Sequence, residues 1–236
     1  MQSKSIIRKA ALFVLMVFCI ATVIGSNANS ALAAKKRSSA RKSKPTAVFD
    51  LNRFIEAHRS DDRNTIHEQL VALKGDFTRT YSLGDGKTSN ITLLMLACLF
   101  AADVNSLDAI GTLLDNNPEL LNVRDSLGQT AIFYALQNEF NCVRPFEILL
   151  SYPNIQVNIA SNSGVTPIQM LVRYWGRAYG DETNAINEMV KKGANLIYEG
   201  GGMPSAIQIM IDNQDPNAQI FLPVAQRQYQ NSQGRR

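Results

Sequence analysis

Apolar residues recur along this chain at the spacing of helix faces rather than in the alternation of half-buried strands. Leu51, Phe54 and Ile55 form one stripe and Ile66, Leu70 and Leu73 a second, with Ser60-Asp61-Asp62 marking the break between them. The pattern predicts a helix pair over residues 47–74. Further on, four segments align: Thr92 to Ala97, Thr130 to Ala135, Thr166 to Leu171 and Ser205 to Met210. Each opens on a hydroxyl residue suited to capping a helix N-terminus and continues with apolar residues at helical spacing. Pro216 and Pro223 bracket a short last helix, and residues 223–236 are expected to be disordered. The predicted class is all-α.

The turns before these segments repeat as well. Asn122 stands eight residues and Gly128 two residues before Thr130, and Asn158 and Gly164 hold the same offsets from Thr166. Glycine at such a place suits a turn that needs positive φ. In these features, and in Lys192-Gly193-Ala194-Asn195, the sequence resembles the ankyrin repeat, a turn followed by two antiparallel helices at a period of about 33 residues. The resemblance implies a solenoid of stacked helix pairs with short hairpin turns. It divides residues 47–222 into N-terminal cap helices over 47–84 and about four repeats over 85–222. A cap of that kind covers the apolar face of a terminal repeat. There are departures. Only Pro167 supplies the signature proline, no repeat has the signature histidine, and no glycine precedes Ser205 by two residues. The segments are spaced by 38, 36 and 39 residues. The register assigns the excess to the inter-helix edge, near Phe100–Leu107, Gln137–Arg144 and Arg173–Asn184.

Members of that family commonly bind proteins through the hairpin tips and the adjoining helix face. The candidate contacts are therefore Arg124, Asp125, Leu127, Ile159, Asn162, Tyr198 and Glu199, each of which is otherwise an ordinary turn residue. A second candidate surface is the inserted turn with Tyr174, Trp175, Arg177 and Tyr179, types enriched at interface hot spots. The competing reading is that Tyr174 and Trp175 cover helix ends as local core.

Charge changes the picture at the ends. Residues 1–33 carry Lys4, Arg8 and Lys9 and no acid; an apolar run from Ala10 to Ile24 follows, broken only by Thr22, and then small residues to Ala33. That order predicts a secretory signal peptide cut after Ala33, or alternatively after Ala28. The rival is an inner-membrane anchor through residues 10–24, although that run is short of the roughly 20 residues a span needs. Val17-Phe18 before Cys19 are too large for a lipoprotein site. Residues 34–46 read as a basic disordered linker with six cations, whose functional reading is loose attachment to anionic lipid. All 20 acidic residues lie in residues 45–226 against 12 basic ones, a net charge of −8 between two basic ends. A nucleic-acid reader carries its positive charge on a folded face, so nucleic acid is not the expected partner.

Chemistry is thinly represented. His58 and His67 sit nine residues apart near Asp61, Asp62 and Glu68, a spacing that matches no zinc signature, and solvated positions on the cap helices are expected for them. Gly84 to Thr88 ends like a phosphate loop but lacks its first glycine, and Gly200-Gly201-Gly202 reads as a flexible tip. Asn90-Ile91-Thr92 fits a glycosylation sequon, though Thr92 already serves as a helix cap. Cys98 and Cys142 remain after signal removal; export permits a disulfide between them, and buried thiols are the alternative. No metal and no cofactor is expected. The sequence thus points to an exported, non-catalytic module in the periplasm or secreted, binding a protein partner whose identity it does not specify. The alternatives are an effector acting on a host protein and a small metal-dependent hydrolase on the cap helices.

Overall fold

A computed structural model describes residues 48–82, 88–139, 142–174 and 182–234. Helix α1 (Leu51–Arg59) starts where the Asp50 carboxylate accepts the Arg53 amide at 3.1 Å, and α2 (Arg63–Ala72) starts on Asp62, which accepts from Asn64 N and Thr65 N. The turn between them needs Asp61 at φ 53°, a region open to Asp among non-glycine residues. Two residues of β1 (Thr80–Tyr81) then pair antiparallel with β2 (Ile91–Thr92), Thr80 opposite Thr92 and Tyr81 opposite Ile91.

From β2 the chain runs through helices in pairs: α3 (Leu93–Phe100) with α4 (Val104–Asn116), α5 (Ala131–Leu136) with α6 (Val143–Ser151), α7 (Pro167–Tyr174) with α8 (Glu182–Lys191), and α9 (Ala206–Asp212) with α10 (Asn217–Gln233). A 3₁₀ turn, Pro118–Asn122, follows α4. The first helices pack in the order α1, α3, α5, α7, α9, and the second helices in the order α2, α4, α6, α8. The molecule is mostly helical, and its core runs between the two rows. Helix α3 has Leu93 to Cys98 fully enclosed, because α1, α4 and α5 all pack on it. Among the described residues no helix is long and apolar enough to cross a membrane.

Several expectations are revised. Residues 224–233 are helical: α10 passes through Pro223 and buries Phe221 and Ala225 on one face. A proline inside a helix costs about 3 kcal/mol, and here it is offset by anchors on both sides of it. The excess residues assigned to Phe100–Leu107 do not make a long loop; only Ala101–Asp103 separate α3 from α4, and the length goes into a 13-residue α4. Cys98 and Cys142 are unlinked buried thiols, and burial pushes both up, Cys142 to about 11. His58 is not on a solvated face. It is wholly enclosed, with its ring 4.2 Å from that of Phe54 and Nδ1 2.8 Å from the Phe54 carbonyl.

Helix starts follow the hydroxyl pattern in three cases of four. Thr92 Oγ1 accepts the Met95 amide at 3.2 Å, Ser205 Oγ that of Gln208 at 3.4 Å, and Thr166 Oγ1 that of Gln169 at 3.5 Å. Thr130 makes no such bond, and its hydroxyl is buried without a partner. Its third residue on is Phe133, which can return no hydrogen bond, whereas Gln169 completes a reciprocal box with Thr166.

The signal segment 1–33, the linker 34–46, residues 10–24, Gly84 to Lys87, and Trp175, Arg177 and Tyr179 lie outside the described residues.

Candidate protein-binding surface

The turns that lead into the first helices are built by side chains folding back on their own backbone. Asp125 accepts from Leu127 N at 2.8 Å, Gln129 N at 2.7 Å and the Tyr134 hydroxyl at 2.6 Å. The carboxylate is thereby satisfied and the residue is only 6% exposed, so Asp125 shapes the tip from inside. Gly128 at φ 74° and Gly164 at φ 78° close the two equivalent turns, donating to Asp125 O and Ser161 O. A Cβ at Gly128 would meet Asn162 and Arg124; at Gly164 it would meet Gly201.

Successive tips are tied together. Ser126 N donates to Ser89 O at 2.9 Å while Ser89 N donates to Ser126 Oγ at 2.8 Å. Asn162 N donates to Leu127 O at 2.8 Å and its Nδ2 to Ser126 O at 2.9 Å. The Arg124 guanidinium spans the same joint, donating to Ala160 O at 3.0 Å and to Asn162 Oδ1 at 3.2 Å. Below the tips a second set of stitches recurs. Asn122 holds Asn154 O and Gln156 N, and Asn158 holds Gly193 O and Asn195 N, each with both ends of its amide. Gln228 of α10 grips Ala194 O and Leu196 N in the same way, each at 2.8 Å.

Arg124, Asp125, Leu127, Ile159, Asn162, Tyr198 and Glu199 thus fall on one row of consecutive turns, but not in one role. Asp125, Asn162 and Arg124 hold the lattice, with Arg124 and Asn162 also exposed; Leu127, Ile159 and Tyr198 are half-buried; Glu199 is exposed. Gly201, at φ 61°, lies so close on the Ser163 carbonyl that a Cβ has no room, so Gly200 and Gly201 form a packed joint rather than a flexible tip, with open space only around Gly202. Tyr174 is exposed at the end of α7 with Arg173 5.7 Å from its ring, which does not fit a local core. His58 lies in the core of the cap, whereas His67 lies on an outer groove between α2 and α4. The described residues hold no cluster of three metal-ligating side chains.

Two joints escaped the sequence reading. Gln169, wholly buried, caps its own helix with Oε1 and donates Nε2 to Pro204 O at 2.9 Å and Tyr198 O at 3.2 Å. The Thr166-x-x-Gln169 box was the available signal for its first role. Asn138 donates to Cys98 O at 2.8 Å and Ala101 O at 2.9 Å, ending α3 from the next pair along.

Against known proteins, no family model matches the chain. A stretch of 107 residues is similar to part of Rabankyrin-5 of Mus musculus, 22% identical, covering 43% of this chain and 8% of that protein. The likeness is weak. With the paired helices it points to ankyrin-like repeats and to a protein-interaction module in general, with no specific partner.

Proposed function

We propose that the chain is an ankyrin-repeat solenoid, a non-catalytic module that binds another protein through its row of hairpin tips. The observation that carries this reading is the cross-linking of successive tips by Ser126, Arg124 and Asn162, which leaves a pre-set surface at the mouth of each turn. Side chains already held in place lose less entropy on binding, so such a surface gains affinity from modest contacts. Exposed Glu199 supplies a charged contact beside half-buried Tyr198 on the tips, while exposed Tyr174, at the far end of α7, belongs to the inter-helix edge. The basic and apolar order of residues 1–33 supports export, with the module working in the periplasm or outside the cell.

Photo-crosslinking in the native cell tests both parts. A crosslinker at Glu199 is expected to trap one discrete protein, and one at Arg144 on a second helix is not. Leu127→Ala with Tyr198→Ala, both on the tips, should abolish the adduct while helicity is retained. Equal trapping from both positions, or none, would sink the tip reading. Fractionation with a mapped N-terminus at Ala34 would support export; a cytoplasmic chain beginning at residue 1 would overturn it.

A further inference from the structure

The second helices carry a surface that tip binding does not use. A groove of about 870 Å³ lies between α2, α4 and α6, with Ile66, Leu70, Phe77 and Ile148 as apolar lining and Asp108 and Asp115 on the α4 side. Val71 on the same lining is 60% exposed, an apolar side chain left open to water. Residues 101–123 contain Asp103, Asp108, Asp115 and Glu119 and no lysine, arginine or histidine. Among the described residues none of these four acids is in an ion pair. Arg63 and His67 are the cationic and titratable residues facing them from α2.

The first described residues lie beside the C-terminal half of α2, the helix that forms one wall of this groove. Asp50 N bonds Gln69 Oε1 of α2 at 2.7 Å, and the Phe49 ring lies 5.7 Å from that of Tyr81. Gln69 immediately precedes the groove residues Leu70 and Val71, and Phe77 lies between them and Tyr81. Because α2 and α4 start together, with Asp61 held by Asn105 and Ser106, Asp115 lies toward the far ends of both helices, the end where Val48 stands. Just before Val48 come Lys35, Lys36, Arg37, Arg41, Lys42 and Lys44, with no acid among them. Four residues of extended chain reach about 14 Å and thirteen reach about 45 Å, against about 20 Å for the length of α4.

We propose that the basic segment 35–44 of this same chain docks along the α2–α4 groove, its cations meeting Asp108 and Asp115 and the residues after Lys44 covering Val71. The attraction is between exposed charges, so it is salt-sensitive and modest per pair. Docking would place the N-terminal segment on the second-helix side and leave the tips open.

Zero-length carbodiimide crosslinking of the full chain, with peptide mapping, reads this directly. Amide bonds from Lys35, Lys36, Lys42 or Lys44 to Asp108 or Asp115 are expected in monomer-sized product. They should disappear in Asp108→Asn/Asp115→Asn and in about 1 M salt, where the Debye length is about 3 Å. Replacing the six cations by serine should speed hydrogen exchange in residues 66–73 and 104–116 by about threefold, the size of one surface ion pair. No crosslink together with unchanged exchange overturns the proposal. Crosslinks confined to dimer-sized product overturn it in favour of a second copy's segment. Wild-type chain that co-sediments with phosphatidylglycerol vesicles and gives no intramolecular crosslink overturns it in favour of lipid.

Discussion

Gln169 illustrates how much of the architecture rests on single buried amides. Its Oε1 takes both the Thr166 amide and hydroxyl at 2.9 Å, and its Nε2 reaches the backbone near residues 198 and 204. Gln169→Ala strands these buried groups and opens a void, so a loss of about 3 kcal/mol is expected in denaturant unfolding. A loss under about 1 kcal/mol would mean that water replaces the amide. His58 gives a pH signature. Burial pushes its imidazole down to about 4, against the opposing pull of the Phe54 carbonyl and Asp61. The unfolded chain takes up the proton near 6.5, so the stability held by the neutral ring is complete above 6.5 and is lost as pH falls toward 4. The full loss amounts to about 3 kcal/mol. Glu182 runs the other way: burial, and then Asp215, push it up to about 7, so its contribution is present at low pH and fades as pH rises from 4.5 to 7. Unfolding of His58→Gln across pH 4–7 should therefore lack the acid-side loss, and Glu182→Gln should make that loss steeper than in the parent. Identical pH profiles for His58→Gln and the parent would show that the ring is not held neutral.

At the scale of elements, the helix pairs were readable because their apolar spacing is local: Phe54 and Ile55, or Ile66 and Leu70, mark a face without knowledge of the partner. What was not readable depends on residues 32 to 45 positions away. Asn138 ending α3, Asp61 starting α4 and Gln228 gripping residues 194 and 196 leave no trace in a local pattern. Pro223 reads as a stop in the sequence for the same reason, since nothing in its local pattern shows what holds the residues beyond it. Ala225 and Gln228 hold the helix beyond it, and the difference is measurable. Ending the chain after Leu222 should lower stability by about 2–4 kcal/mol, through the two Gln228 bonds and the packing of Val224 and Ala225. An unstructured tail could be removed with no change in melting temperature.

Across the whole molecule, the main packing joins each helix pair to the pairs on either side of it, so the cost of a defect should stay near its joint. Gly201 provides the test. It sits at φ 61° with the Ser163 carbonyl where a side chain would be, and Gly164 packs on the same spot. Alanine there meets both a disfavoured backbone region and a backbone clash, which together cost about 2–4 kcal/mol. In a fully cooperative domain that cost appears as the same loss of hydrogen-exchange protection in every core helix. In a chain of neighbour contacts it falls on α9 and α10 and fades toward α3. Gly201→Ala should therefore raise exchange in 206–212 and 217–228 by roughly thirtyfold or more while residues 93–100 stay within about threefold of the parent. The same variant bears on binding, because the joint it breaks fixes Tyr198 and Glu199 relative to the preceding tip. If a pre-set row of tips is what the partner recognises, adduct formation from position 199 should fall with the local opening, although no candidate contact residue has changed. Retained trapping alongside fast exchange in α9 would place recognition on the individual tip rather than on the lattice.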